Sequence, residues 1–115
     1  PDQLPVIRTL YDRYRPSTVE IEKTGYQLSL VQMALRTGLP VVGLKAESDK
    51  VSRAATAAAR FAGGAVYFKA GAPWLNVVED ELLAFPTGEH DDVVDVCSYA
   101  AIKVSRWSQP KARQL

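Results

Sequence analysis

The chain has 115 residues and a mass of 12.6 kDa, enough for one domain with a single core and too short for two ordinary ones. Apolar residues make up 47% and charged residues 23%, a balance that excludes intrinsic disorder and a coiled coil. No run approaches the roughly 18 apolar residues of a membrane span, and Pro1-Asp2-Gln3 lacks the basic-then-apolar start of a signal peptide. The lone Cys97 can form neither an internal disulfide nor a cysteine cage for a metal, which makes a reducing cytoplasm the expected compartment.

The net charge of +1 conceals a segregation. Seven of the thirteen acids fall between Glu79 and Asp95 (Glu79, Asp80, Glu81, Glu89, Asp91, Asp92 and Asp95), and no Lys or Arg lies between Gly71 and Ile102. Basic residues flank this block: Lys45, Lys50, Arg53, Arg60 and Lys69 before it, Lys103, Arg106, Lys111 and Arg113 after it.

In chain order, Leu4, Ile7, Leu10, Tyr11 and Tyr14 follow a helical period from about Asp2 to Tyr14, stopped by Pro16. Ser17 to Glu22 alternates Val19 and Ile21 with Glu20 and Glu22, a short strand. A second helix from Gly25 carries Leu28, Val31, Met33 and Leu35 and ends at Thr37-Gly38-Leu39-Pro40. Val41 to Leu44 is an apolar run of the kind covered on both faces of a parallel sheet.

Asp49 to Ala62 is a helix whose stripe is Val51, Ala54, Ala55, Ala58 and Ala62, ended by Gly63-Gly64. Ala65 to Phe68 is a third strand candidate, followed by a Gly/Pro turn; Trp74 to Phe85 is a helix ended by Pro86-Thr87-Gly88. The last helix shows Val93, Val96, Cys97, Ala100, Ala101 and Val104, with aspartates at its start, where the macrodipole favours them. After Trp107 the apolar period stops, and about residues 106–115 are expected to fray. The order predicts one α/β domain with a small, mostly parallel sheet flanked by helices. Glu20 and Glu22 would be out of place on a central parallel strand, so that strand lies at an edge or its carboxylates are used.

His90-Asp91-Asp92-Val93-Val94-Asp95 is the densest group of ligand-type side chains. Centred on the expected stripe, Asp92 leans toward the buried border while Asp91 and Asp95 point outward. An acidic cap on the helix is the ordinary reason for such residues. Glu22, at the carboxyl end of the first strand, stands where open α/β sheets collect function. Glu22 with Asp92 or Asp91 would offer oxygen ligands suited to magnesium or manganese. His90 before a helix is more commonly a turn residue. Lys50, Arg53 and Arg60 fall opposite the alanine stripe, on a face that suits phosphate contacts or simply solvent.

These motifs, in this order, resemble the nuclease domain of the large terminase subunit of tailed phages and prophages, a ribonuclease H/RuvC-like fold. Val19-Glu20-Ile21-Glu22 with Gly25 resembles the strand bearing the family's second acid. Asp49-Lys50 with Arg53-Ala54 resembles its "DK..RA" helix start. Val66, Phe68, Trp74, Glu81-Leu82 and Phe85-Pro86-Thr87-Gly88 resemble the stretch that follows, and His90-Asp91-Asp92 with Asp95 resembles its closing motif, with Val96 where alanine is usual.

The resemblance spans about residues 5–105 and implies two-metal hydrolysis of viral DNA during packaging, with magnesium or manganese as cofactor. By motif position Glu22 would be the second metal-binding acid and Asp92 the third, with Asp91 the close alternative and Asp95 and His90 in support. Lys50, Arg53 and Arg60 would face the DNA. Double-stranded DNA, the terminase ATPase domain, the small terminase subunit and the portal are the implied partners, in the host cytoplasm. The family's first catalytic aspartate sits on a hairpin strand ahead of the opening helix, and Asp2 does not replace it. The 115 residues thus resemble the C-terminal part of a nuclease domain, with little or no cleavage expected of the chain alone. A different reading is a non-catalytic prophage remnant or interaction module of the same fold, self-associating through an open sheet edge.

Overall fold

The structure, a computed structural model, describes residues 3–25, 27–46 and 48–107. Asp2 and residues 108–115, most of the expected frayed end, lie outside the described residues. The chain is α/β and groups into two compact units, Pro1–Glu47 and Ser48–Leu115.

The first unit contains α1 (Gln3–Tyr14), β1 (Val19–Glu22), α2 (Gln27–Arg36) and β2 (Val41–Leu44). The two strands pair in parallel with Val19 opposite Val41 and Glu22 opposite Leu44, so β1, α2 and β2 form a crossover unit. Each strand has one partner among the described residues, which leaves β1 half-buried along its length and accommodates Glu20 and Glu22. Gly38 takes φ +83° after α2, a left-handed conformation that glycine adopts without strain. The Leu39 N–H then donates to the Ala34 carbonyl and the Gly38 N–H to Leu35, closing the helix with Leu39 tucked into the core.

On α2 the buried residues are Leu30, Val31 and Ala34. Leu28, Met33 and Leu35 of the expected stripe are exposed. Close approach of α2 to the strands needs its small residue inward, and Ala34 is fully buried there. Arg8 Nη2 donates to the Thr37 carbonyl at 2.8 Å and ties α1 to the end of α2.

The second unit holds α3 (Lys50–Ala62), α4 (Leu75–Ala84) and α5 (Asp92–Trp107), so Arg106 and Trp107 are helical rather than part of a frayed end. The expected third strand, Ala65–Phe68, is irregular. The Ala65 N–H donates to Arg60 and that of Gly64, at φ +71°, to Phe61, which turns the chain sharply off α3. Phe68 then stacks between Phe61 and Trp74, with ring centroids at 5.9 and 6.2 Å, so its apolar surface is used against rings rather than in a ladder. The three helices border an apolar cleft of about 570 Å³ whose walls include Ala57, Phe61, Phe68, Leu82, Val94 and Cys97. Burial, then the Glu81 charge, pushes the Cys97 thiol up from its usual pKa.

Ala34→Leu should overpack the first unit and cost about 1–3 kcal/mol, whereas Leu35→Ala on the exposed side of α2 should stay within about 0.5 kcal/mol. Urea unfolding of the two variants checks the orientation of α2.

Candidate functional site

The site residues of the second unit are set by two helix starts. Asp49 caps α3: its Oδ1 accepts the Ser52 N–H at 2.8 Å and its Oδ2 the Ser52 hydroxyl at 3.2 Å. These bonds hold the Asp49 carboxyl below its ordinary pKa of 3.8. Two acids, Asp92 and Asp95, occupy the first turn of α5, which is capped from outside by Glu81 of α4. Glu81 Oε1 accepts the Val93 N–H at 2.6 Å. No sequence pattern singled out Glu81 for this role, because its partner is a backbone group twelve residues away.

Both helices are rotated from the expected faces. On α3 the buried residues are Arg53 and Ala57, and Val51 is 58% exposed. On α5 the buried line is Val94, Ser98 and Ala101, at spacings of four and three, while Val96 is 67% exposed. Ser98 tolerates burial because its hydroxyl donates to the Val94 carbonyl at 2.7 Å. This rotation reverses the order expected for the aspartates: Asp95 has 17% of its side chain exposed and Asp91 36%, whereas Asp92 is exposed.

The rotation also turns the basic face of α3 toward α5, with Arg53 buried and Lys50 still exposed. Lys50 Nζ lies 2.9 Å from both carboxylate oxygens of Asp91 and 3.2 Å from Asp95 Oδ2. Arg53 Nη2 lies 3.5 Å from Asp95 Oδ1, its Nη1 donates to the Ser48 carbonyl, and its guanidinium stands 5.2 Å from the centre of the Tyr99 ring. Arg60 Nε donates to the Ser105 hydroxyl at 3.1 Å, farther along the same helices. Lys50, Arg53 and Arg60 therefore do not form an outward, solvent-facing row; a buried guanidinium is stable here because Asp95 neutralises it and its stem packs between the helices. Asp91, then Asp95, holds the Lys50 ammonium above its ordinary pKa.

The structure thus brings Asp91, Asp95, Lys50 and Arg53 together, leaves Asp92 and His90 exposed beside them, and places Glu22 in the first unit, where it closes β1. Oxygen donors suit magnesium or manganese. Yet Asp91 and Asp95 are bonded to cationic side chains, and no three His, Cys, Asp or Glu side chains gather as a metal centre among the described residues. As arranged, Asp91 and Asp95 form an ion-pair cluster with Lys50 and Arg53.

Asp95→Asn should leave the buried Arg53 charge uncompensated and cost about 2–3 kcal/mol, whereas Asp92→Asn should cost less than about 1 kcal/mol, the worth of a first-turn dipole contact; urea titration compares them. The Asp49 cap contributes fully above the unfolded pKa of 3.8 and is lost as pH falls through the lower folded value. The stability advantage of the native chain over Asp49→Ala should therefore be flat from about pH 7 to 5 and shrink in more acid solution.

Comparison with known proteins adds one finding. No curated protein and no solved structure matches the chain. A family model described as the terminase RNaseH-like domain matches residues 3–103, a span that includes β1 with Glu22, the Asp49-Lys50 helix start and the His90–Asp95 run. The chain belongs to the terminase RNaseH-like domain family.

Proposed function

We propose that this chain supplies part of a metal-dependent endonuclease site that cuts double-stranded viral DNA during packaging, with Glu22 and Asp92 as its metal-binding acids and Asp91 as the alternative to Asp92. The observation that carries the reading is the position of these acids within the matched span: Glu22 is the last residue of a parallel strand and Asp92 the first of a helix. Carboxylates at strand ends of open α/β sheets are where such folds collect chemistry. Magnesium or manganese would supply the charge that phosphodiester hydrolysis requires. Asp95 holds Arg53 and Lys50 in place, and His90 sits at the entrance to α5. The terminase ATPase domain, small subunit and portal are the partners that family membership suggests.

The family resemblance implies a further aspartate beside Glu22 and Asp92 in a complete site, so these 115 residues alone should bind manganese weakly and leave supercoiled plasmid intact. Calorimetric titration with manganese tests the ligand assignment: Glu22→Gln and Asp92→Asn should each abolish the binding heat, and binding indifferent to both substitutions would remove these residues from the site. Manganese-dependent nicking by the chain, lost in Glu22→Gln, would overturn its expected inactivity.

The ion-paired state of Asp91 and Asp95 favours a second reading, a non-catalytic interaction module of the same fold. Such a module would show no carboxylate-dependent manganese heat.

A further inference from the structure

Two apolar surfaces of this chain carry opposite charge at their edges. The first is on α1, where no residue is buried and Val6, Leu10 and Tyr14, spaced four apart, form an exposed stripe along one side of the helix. Arg8, which bonds the Thr37 carbonyl at the end of α2, lies about 160° around the helix from Leu10, so the stripe points away from α2. Its edge is basic: the Arg13 guanidinium stands 5.2 Å from the centre of the Tyr14 ring, and Arg15 follows the helix.

The second surface is the cleft of about 570 Å³ in the second unit. Ala54, Ala58 and Phe61 of α3 and Leu82 and Leu83 of α4 stand among its walls, and Leu83 is 84% exposed, so the cleft is open to solvent. Glu79 is the one charged side chain among the described residues that wall it, Asp80 follows, and no Lys or Arg lies between Gly71 and Ile102. Apolar troughs between helices are filled by an amphipathic helix laid in through its stripe. The Val6–Tyr14 stripe is about 12 Å long and the ten-residue α4 about 15 Å, so the lengths match.

We propose that α1 of one copy seats its Val6, Leu10 and Tyr14 stripe in the α3–α4–α5 cleft of a second copy, with Arg13 beside Glu79, and that this exchange makes the chain a dimer. Charge selects the pairing. Cleft against cleft would set Glu79 and Asp80 toward the same acids of the other copy, whereas α1 against the cleft sets basic residues toward acidic ones. Each copy carries both surfaces, so a two-fold exchange forms the seam twice and closes without a third partner. The contact is independent of the metal-binding roles proposed for Glu22 and Asp92.

Sedimentation velocity of the full 115-residue chain over a range of concentrations should show a monomer–dimer equilibrium. Leu10→Glu on the stripe and Leu83→Glu on the cleft wall should each weaken it by about tenfold or more, because each puts a carboxylate into an apolar seam. Both positions are exposed, and circular dichroism should show native helix content in both variants. Mixed together, the two variants should associate again: the intact α1 of the Leu83→Glu chain meets the intact cleft of the Leu10→Glu chain, which restores one seam of the two. Arg13→Glu should weaken the dimer, and Glu79→Lys added to the same chain should recover it. Val96→Glu, at an exposed position of α5 that is not a wall of the cleft, should associate as the native chain does.

A native chain that stays monomeric at every concentration would overturn the proposal. So would a dimer untouched by Leu10→Glu and Leu83→Glu, a dimer weakened equally by Val96→Glu, or a mixture of the two variants that remains monomeric.

Discussion

The second unit depends on one buried charge being neutralised. Arg53 is 7% exposed and could not be so without Asp95 across the helix interface. That pairing fixes the rotation of α3 and of α5 together. Once Arg53 faces inward, Ala57 follows it a turn later and Arg60 reaches Ser105. On α5, turning Asp95 toward Arg53 brings Val94, Ser98 and Ala101 into the seam. The small side chains at those positions let the helices approach closely enough for the ion pairs to form.

The cost of that arrangement falls on the alanine stripe of α3. Burying methyl groups yields little per residue compared with burying the long stem of an arginine whose terminal nitrogens meet Asp95 and the Ser48 carbonyl, even though its buried Nε has no hydrogen-bond partner. Val51, Ala55 and Ala62 of that stripe are exposed, while Ala54 and Ala58 help to wall the apolar cleft together with aromatic and aliphatic residues from α3, α4, α5 and the loop after α3. The irregular course of Ala65–Phe68 belongs to the same economy of contacts. Phe68 gains ring neighbours in Phe61 and Trp74, and among the described residues of the second unit no strand lies beside it to offer a ladder.

For the site, the consequence is a division of labour among aspartates that are nearly adjacent in sequence. Asp95 and Asp91 are structural acids, tied to Arg53 and Lys50, and Asp92 remains exposed. Glu81 adds a further layer by capping α5 from α4, so that the helix start carrying these acids is held from two sides. The contacts explain what each acid touches.

What the sequence by itself determined was local. Asp49 before α3, Gly38 after α2 and Gly63-Gly64 after α3 mark helix ends because capping and left-handed turns involve residues close in the chain. The strands Val19–Glu22 and Val41–Leu44 follow from β-branched and apolar runs, and their parallel pairing from the helix between them. The ordered motifs led to the terminase RNaseH-like domain family, which the match over residues 3–103 bears out. Only the tertiary structure decided which faces of α2, α3 and α5 are buried and that Lys50 grips Asp91, a residue 41 positions away. A helical wheel weighs residues by polarity alone. It assigns every arginine and aspartate to solvent and cannot register that two opposite charges, brought together by the fold, neutralise each other well enough to occupy the interior.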